Sequence, residues 1–294
     1  MEADLIFHHD VELPHFAAFP LLDSAEGQAL LQDYYDGYAA IARAAGAGLM
    51  LESPTWRASS DWGERLGYSP VELARANTDA IGLLARLRDR YAETVPDVVL
   101  SGMVGPRGDG YRPGGPADPI RSADYHHPQI KAFAWSGADM VTAYTLTDVG
   151  EAIGIVQAAR AAGLPVAISF TVETDGGLPG GVPLGQAICE VDDAAGPDYF
   201  LVNCAHPCHV AAGLAEPGAW CDRIVGLRCN ASVKSHVELD DATELDEGDP
   251  MALAAEHDRI TPQLPRLAII GGCCGTDTRH IAALWTDRGR RGAS

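Results

Sequence analysis

Two rhythms of hydrophobic spacing alternate along this 294-residue chain. Short, nearly unbroken apolar runs fall at residues 48–51, 98–106, 138–145, 165–170, 199–204, 224–230 and 267–270. Between most of them lie longer stretches in which apolar side chains return every three or four residues, at 25–45, 71–91, 123–136, 149–162, 184–191 and 278–285. A short continuous apolar run reads as a strand buried on both faces, and the longer period reads as an amphipathic helix. Punctuation agrees with this reading: Gly46 and Gly163 stand where helices should end, and Pro70 stands where one should begin. Strand and helix alternating throughout imply parallel strands joined by crossover helices.

Three of the strand ends carry sulfur or sit beside it. The run Leu267-Ala268-Ile269-Ile270 passes into Gly271-Gly272-Cys273-Cys274-Gly275-Thr276-Asp277, so a strand delivers two thiols to its tip. Adjacent cysteines seldom bridge each other, because the Cα separation of about 3.8 Å is too short for ordinary disulfide geometry. Tyr199-Phe200-Leu201-Val202-Asn203-Cys204 is a second apolar run ending in a thiol. Cys204, Cys273 and Cys274 together can make a three-sulfur site that leaves a zinc ion one open position, the arrangement of catalytic zinc, although each alone could be a buried small hydrophobe. His206 follows closely and could be a fourth ligand or an acid–base group. Cys208 reads as a bystander, and Cys229 imitates a ligand but lacks the glycine context.

Asn203-Cys204 together with Gly271-Gly272-Cys273-Cys274-Gly275-Thr276 resembles the paired signature of the homocysteine S-methyltransferase family. The likeness extends through Ser169-Phe170-Thr171-Val172-Glu173, Asn230-Ala231-Ser232, Ser235-His236 and Glu238-Leu239-Asp240. That resemblance implies a zinc-dependent α/β fold, a (β/α)8 TIM-type barrel, here one domain over 1–294. It also implies that a thiol, homocysteine foremost, is bound as a zinc thiolate and methylated to methionine by a small donor. No catalytic residue beyond the metal site is then obligatory. Two departures stand out. Met1-Glu2-Ala3-Asp4-Leu5-Ile6-Phe7 resembles the segment just after the family's Asp-Gly-Gly strand, so the first barrel strand is expected to be missing or truncated at the N-terminus. Tyr144 stands where betaine-dependent relatives carry a glutamate for the substrate amino group, and Glu173 could supply that carboxylate instead.

Barrels place their chemistry at the C-terminal ends of the strands. By that rule Glu52, Thr55 and Glu173 are substrate-binding candidates; the resemblance adds Tyr144, Asn203 and Asn230 and implies Cys204, Cys273 and Cys274 as the metal ligands. The Gly- and Pro-rich stretch 105–119 reads as a loop over the mouth, and the acidic stretch 238–250 as a solvated loop placed to act as a lid. Residues 288–292 read as a frayed tail.

Composition narrows the partners rather than the chemistry. A net charge of -20 argues against nucleic acid and against an anionic membrane surface. No basic-then-apolar leader and no run of about 18 apolar residues occurs, so the expected location is cytoplasmic. Seven cysteines in a reducing compartment are expected free or metal-bound. The expected partners are a small thiol and a methyl donor, with a homo-oligomer open. Three rivals remain: methyl transfer to or from a different thiol, a zinc- or thiol-binding protein without turnover, and a zinc hydrolase, which an all-thiolate site serves poorly.

Overall fold

Helix starts along the chain are fixed by side-chain oxygens that accept otherwise orphaned backbone N–H groups. Ser24 accepts from Gly27 N ahead of the helix Ala25–Ala45, and Ser69 forms a reciprocal capping box with Glu72 ahead of Pro70–Tyr91. Asp118, Asp148 and Asp249 do the same for Pro119–Ser136, Val149–Ala162 and Pro250–Ile260. At the other ends Gly46, Gly137 and Gly163 take left-handed conformations that close their helices.

The computed structural model describes residues 1–111 and 114–291, with side chains in the last helix to residue 286. In chain order the helices and strands are α1 (Glu2–His9), α2 (Ala25–Ala45), β1 (Leu49–Glu52), α3 (Ser60–Arg65), α4 (Pro70–Tyr91), β2 (Val98–Val104) and α5 (Pro119–Ser136). Then follow β3 (Met140–Leu146), α6 (Val149–Ala162), β4 (Val166–Phe170), α7 (Leu184–Ala194), β5 (Tyr199–Asn203) and α8 (Pro207–Gly213). The chain closes with β6 (Ile224–Cys229), α9 (His236–Asp240), α10 (Pro250–Ile260), β7 (Ile269–Gly272) and α11 (Thr278–Arg291).

All seven strands pair in parallel in the order β1-β2-β3-β4-β5-β6-β7. The two-residue period of the strands then sorts side chains onto two faces. Leu51, Leu100, Val141, Ile168, Val202 and Leu227 pack outward against the helices in the main core. Met103, Met140, Tyr144, Ala167 and Leu201 form a second cluster on the inner face. Full burial of one such leucine or isoleucine stabilises by about 1.5–3 kcal/mol, so the outer layer dominates the energetics. The inner layer shapes the site.

Among the described residues β7 and β1 do not pair with each other, so the sheet is a curled barrel wall short of one strand, as the sequence predicts. The seam opens onto a cavity of about 360 Å³ whose lining includes Met1, Tyr34, Tyr38, Ile269 and Trp285. Every residue of β7 is only half-buried, whereas β3 and β4 are buried along their whole length.

The periodic helices and the strands fall where the spacing places them, and short elements account for the differences. Residues 1–22 hold α1 and two turns of 3-10 helix, with Asp10, His15 and Phe16 at positive φ. Pro207 begins α8, because a first-turn proline sacrifices no hydrogen bond. The acidic stretch carries α9, and α10 follows from Pro250. The tail predicted at 288–292 is helical in its backbone to Arg291, and Gly292 lies outside the described residues, as do 112 and 113 within the mouth loop. No described helix is long and apolar enough to cross a membrane.

Candidate metal centre and the cavity beside it

Parallel pairing brings β5, β6 and β7 side by side, so the residues just past their ends must meet. Cys204 follows β5 at φ 57, a left-handed conformation uncommon for a residue with a Cβ. The neighbouring strand holds it there: Cys204 N donates to Arg228 O at 3.1 Å and Asn230 Nδ2 donates to Cys204 O at 3.0 Å. Asn230 Oδ1 also accepts from Cys274 N at 3.0 Å, so one buried amide ties both cysteine loops together. Cys273 N donates to Cys229 O at 2.9 Å. Gly272 has no alternative here, since a Cβ would fall 2.0 Å from Thr276 Oγ1. Gly275 turns the chain at φ 76.

The outcome is a cluster in which Cys204 Sγ lies 3.0 Å from Cys273 Sγ and 3.7 Å from Cys274 Sγ, all three sulfurs being within 4.8 Å of one another. A tetrahedral zinc ion with bonds of about 2.3 Å would space its sulfurs roughly 3.8 Å apart, so the donor set and its spacing fit that ion. Protons are held unequally. Hydrogen bonds from Cys204 and Cys274, helped by the Arg228 cation, pull the Cys273 thiol well below its ordinary value. The Cys204 thiol is pushed well up by hydrogen bonds to Cys273 and Cys274 that favour its protonated form, and that of Cys274 rises to about 12 against the pull of Cys204, because the hydrogen bond to Cys273, burial and the neighbouring charge together outweigh it. One thiolate is comfortable, and three require a cation.

Tyr111, from the mouth loop, places its hydroxyl 3.0 Å from Cys204 Sγ and 3.8 Å from Cys274 Sγ. Burial and the neighbouring sulfurs push its pKa well up, so it stays a neutral donor. Its ring stacks on His236 at 4.3 Å between centroids. His236 Nε2 lies 2.8 Å from Cys204 O, and Nδ1 lies 2.9 Å from Glu173 Oε1. Glu173, a substrate candidate, is therefore engaged by His236 at the rim. Asn203 is likewise spent on the protein: its Oδ1 accepts from Thr145 N and Ser169 Oγ, and its Nδ2 donates to Thr145 Oγ1. That grip holds Thr145 at φ 61. Thr55 is wholly buried and bonds Met103 O at 2.8 Å, away from the cavity. His206 caps α8 and touches Cys208 Sγ at 3.1 Å, and neither joins the three-sulfur cluster. Cys229 points into the helix-facing core.

Glu52 and Tyr144 do come together. Both line the seam cavity with Arg228 and Cys273, and Tyr144 Oη donates to Glu52 Oε1 at 2.8 Å. Burial pushes the Glu52 carboxyl up to about 7 despite the opposing pull of Arg228 and of hydroxyl donors. Arg228 lies over the Tyr144 ring at 4.4 Å and donates from Nε to Gly272 O at 3.1 Å. Burial works against its charge, but Tyr144, Cys273 and Glu52 more than offset that and raise its pKa. Tyr111 and Arg228 were not among the sequence candidates. Arg228 had a signal, a lone charge inside an apolar run, whereas nothing in the glycine-rich loop distinguishes Tyr111.

Comparison with known proteins follows the same lines. A family model described as homocysteine S-methyltransferase matches residues 3–286. No curated protein matches the chain significantly. Among solved structures, the metallated form of the homocysteine methyltransferase MmuM from Escherichia coli is 20% identical, with a TM-score of 0.71, over 95% of this chain and 91% of that one. Its oxidized form is 19% identical with a TM-score of 0.73 over the same shares. At that identity the likeness is one of fold.

Proposed function

The chain belongs to the homocysteine S-methyltransferase family, which makes it a methyltransferase acting on a thiol, and from that premise we propose that the thiol is homocysteine and the product methionine. On this reading Cys204, Cys273 and Cys274 hold a zinc ion and residues 1–294 work as one catalytic domain. The observation that carries it is the convergence of three sulfurs within 4.8 Å at the C-terminal rim of the sheet. An alkyl thiol is mostly protonated at neutral pH, its pKa being about 8.5. Zinc bound there supplies the Lewis acidity that lowers a ligating thiol's pKa and presents the sulfur as a nucleophile.

The chain's own residues do the rest. Asn230 fixes the two cysteine loops relative to each other, and His236 fixes the Cys204 carbonyl. Tyr111 brings its hydroxyl against Cys204 and Cys274 and offers a hydrogen bond to sulfur there. Glu52 and Tyr144 flank the cavity in which the rest of the thiol molecule lies. The test is to supply zinc-loaded protein with homocysteine and, in turn, a sulfonium and a quaternary ammonium methyl donor, following methionine by mass spectrometry. Methionine formed with one donor, in proportion to bound zinc, is expected. One zinc per chain with no thiol methylated by either donor would leave a zinc- or thiol-binding protein instead.

A further inference from the structure

Inside the seam cavity lie two opposite charges that Tyr144 bridges and no direct ion pair among the described residues joins. Glu52 projects from the end of β1 and Arg228 from β6, on opposite sides of the gap between β1 and β7. Glu52 Oε1 is taken by Tyr144, but Oε2 is buried with no hydrogen-bond partner. A buried carboxylate oxygen without a donor is costly, so a site that keeps one points to a ligand that supplies the donor. Arg228 spends Nε on Gly272 O, one residue before Cys273, and among the described residues no carboxylate lies within ion-pair distance of it. Its guanidinium, which also interacts with the Tyr144 side chain, is thus held beside the sulfur cluster, where its planar fork can meet a planar anion. The ring of Tyr144 supports the guanidinium from one face and its hydroxyl orients Glu52, so the two charges are mechanically linked.

We propose that Arg228 and Glu52 form a clamp for an α-amino acid, Arg228 receiving the carboxylate and Glu52 the ammonium, so that the chain selects amino-acid thiols over simple thiols. This rests on the thiol-binding reading above, and it assigns Arg228 a role in specificity. A ligand ammonium beside Glu52 also keeps ionised a carboxyl that burial has raised to about 7.

The test uses zinc-loaded protein and isothermal titration with four ligands: homocysteine, 3-mercaptopropylamine (no carboxylate), 4-mercaptobutanoate (no amine) and L-norvaline (a methyl in place of the thiol). The clamp predicts that each truncated thiol binds roughly 10–100-fold more weakly than homocysteine, the worth of one charge-assisted contact. It also predicts that norvaline binds the unaltered protein and that Arg228→Met and Glu52→Gln, each retaining zinc, lose it. Equal affinity for homocysteine and 3-mercaptopropylamine would overturn the clamp while leaving thiol binding intact. Norvaline binding that depends on Arg228, with homocysteine no tighter than norvaline, would sustain the clamp and refute the thiol reading. If neither amino acid binds, both fall.

Discussion

The sulfur cluster past the ends of β5 and β7 and the charged cavity beside it, whose polar groups come from β1, β3 and β6, are built in opposite ways. At the cluster nearly every backbone group near the sulfurs is spoken for: Asn230, His236, Cys229 and Arg228 each hold Cys204, Cys273 or Cys274 by hydrogen bonds of 2.8–3.1 Å. In the cavity Glu52 Oε2 is left bare, and among the described residues no carboxylate forms an ion pair with Arg228. The contrast teaches a division of labour. Satisfied hydrogen bonds preorganise a metal site, where small displacements are costly, while unsatisfied charges mark the surface meant for a ligand.

The largest break in this comparison comes from the cluster itself. Cys273→Ala removes the most readily ionised of the three sulfurs, and zinc stoichiometry measured by atomic emission should fall from one per chain to none, with methyl transfer reduced to background. Next in size is Asn230→Ala, which leaves all three sulfurs but releases the tie between Cys204 O and Cys274 N. Zinc affinity, measured by chelator competition, should weaken about 10–100-fold, the usual consequence of losing a group that orients ligands.

Glu52→Gln sharpens the cavity side through pH. The Glu52 carboxyl rises from the ordinary 4.5 to about 7 on folding because burial disfavours its charge. The folded protein therefore holds an extra proton between those values, and the associated stability, complete below about 4.5, is lost as pH rises through 7. Removing the titrating group should make the variant gain on the unaltered protein from pH 5 to pH 8, read from chemical denaturation midpoints. A difference that does not vary with pH would place Glu52 outside this account. The smallest effect is expected from Tyr111→Phe. Its hydroxyl donates toward sulfur and offsets part of the rise of the Cys274 thiol. Loss of that donor should raise the midpoint of thiolate absorbance in the metal-free protein by up to about one pH unit.

Much of this was legible in the residues. The strands declare themselves because they are buried on both faces, and the pairs Asn203-Cys204 and Cys273-Cys274 announce the cluster because each stands at the end of an apolar run. Glu52 was readable from the rule that barrel rims carry function. What sequence spacing could not give was the face. Within β6, Leu227 and Cys229 look outward to the helices while Gly226 and Arg228 look inward, and only the pairing of β6 with β7 shows which alternate set meets the cavity. For the same reason Thr55 and Asn203 read as pocket residues although their hydrogen bonds serve the protein. Tyr111 arrives from a loop without periodicity, and its place beside Cys204 depends on tertiary packing alone. Helix α10 was hidden by the acidic run before it, although Leu253, Ala254, His257 and Ile260 keep helical spacing.

Proton release on thiol binding reports directly whether the bound sulfur is a thiolate. Zinc-loaded protein titrated with homocysteine near pH 7, in two buffers of different ionisation enthalpy, gives the number of protons released per thiol bound. The account predicts close to one, because a thiol of pKa about 8.5 arrives protonated and is held as the thiolate. Binding with no proton released, or release that persists in Cys273→Ala, would contradict it.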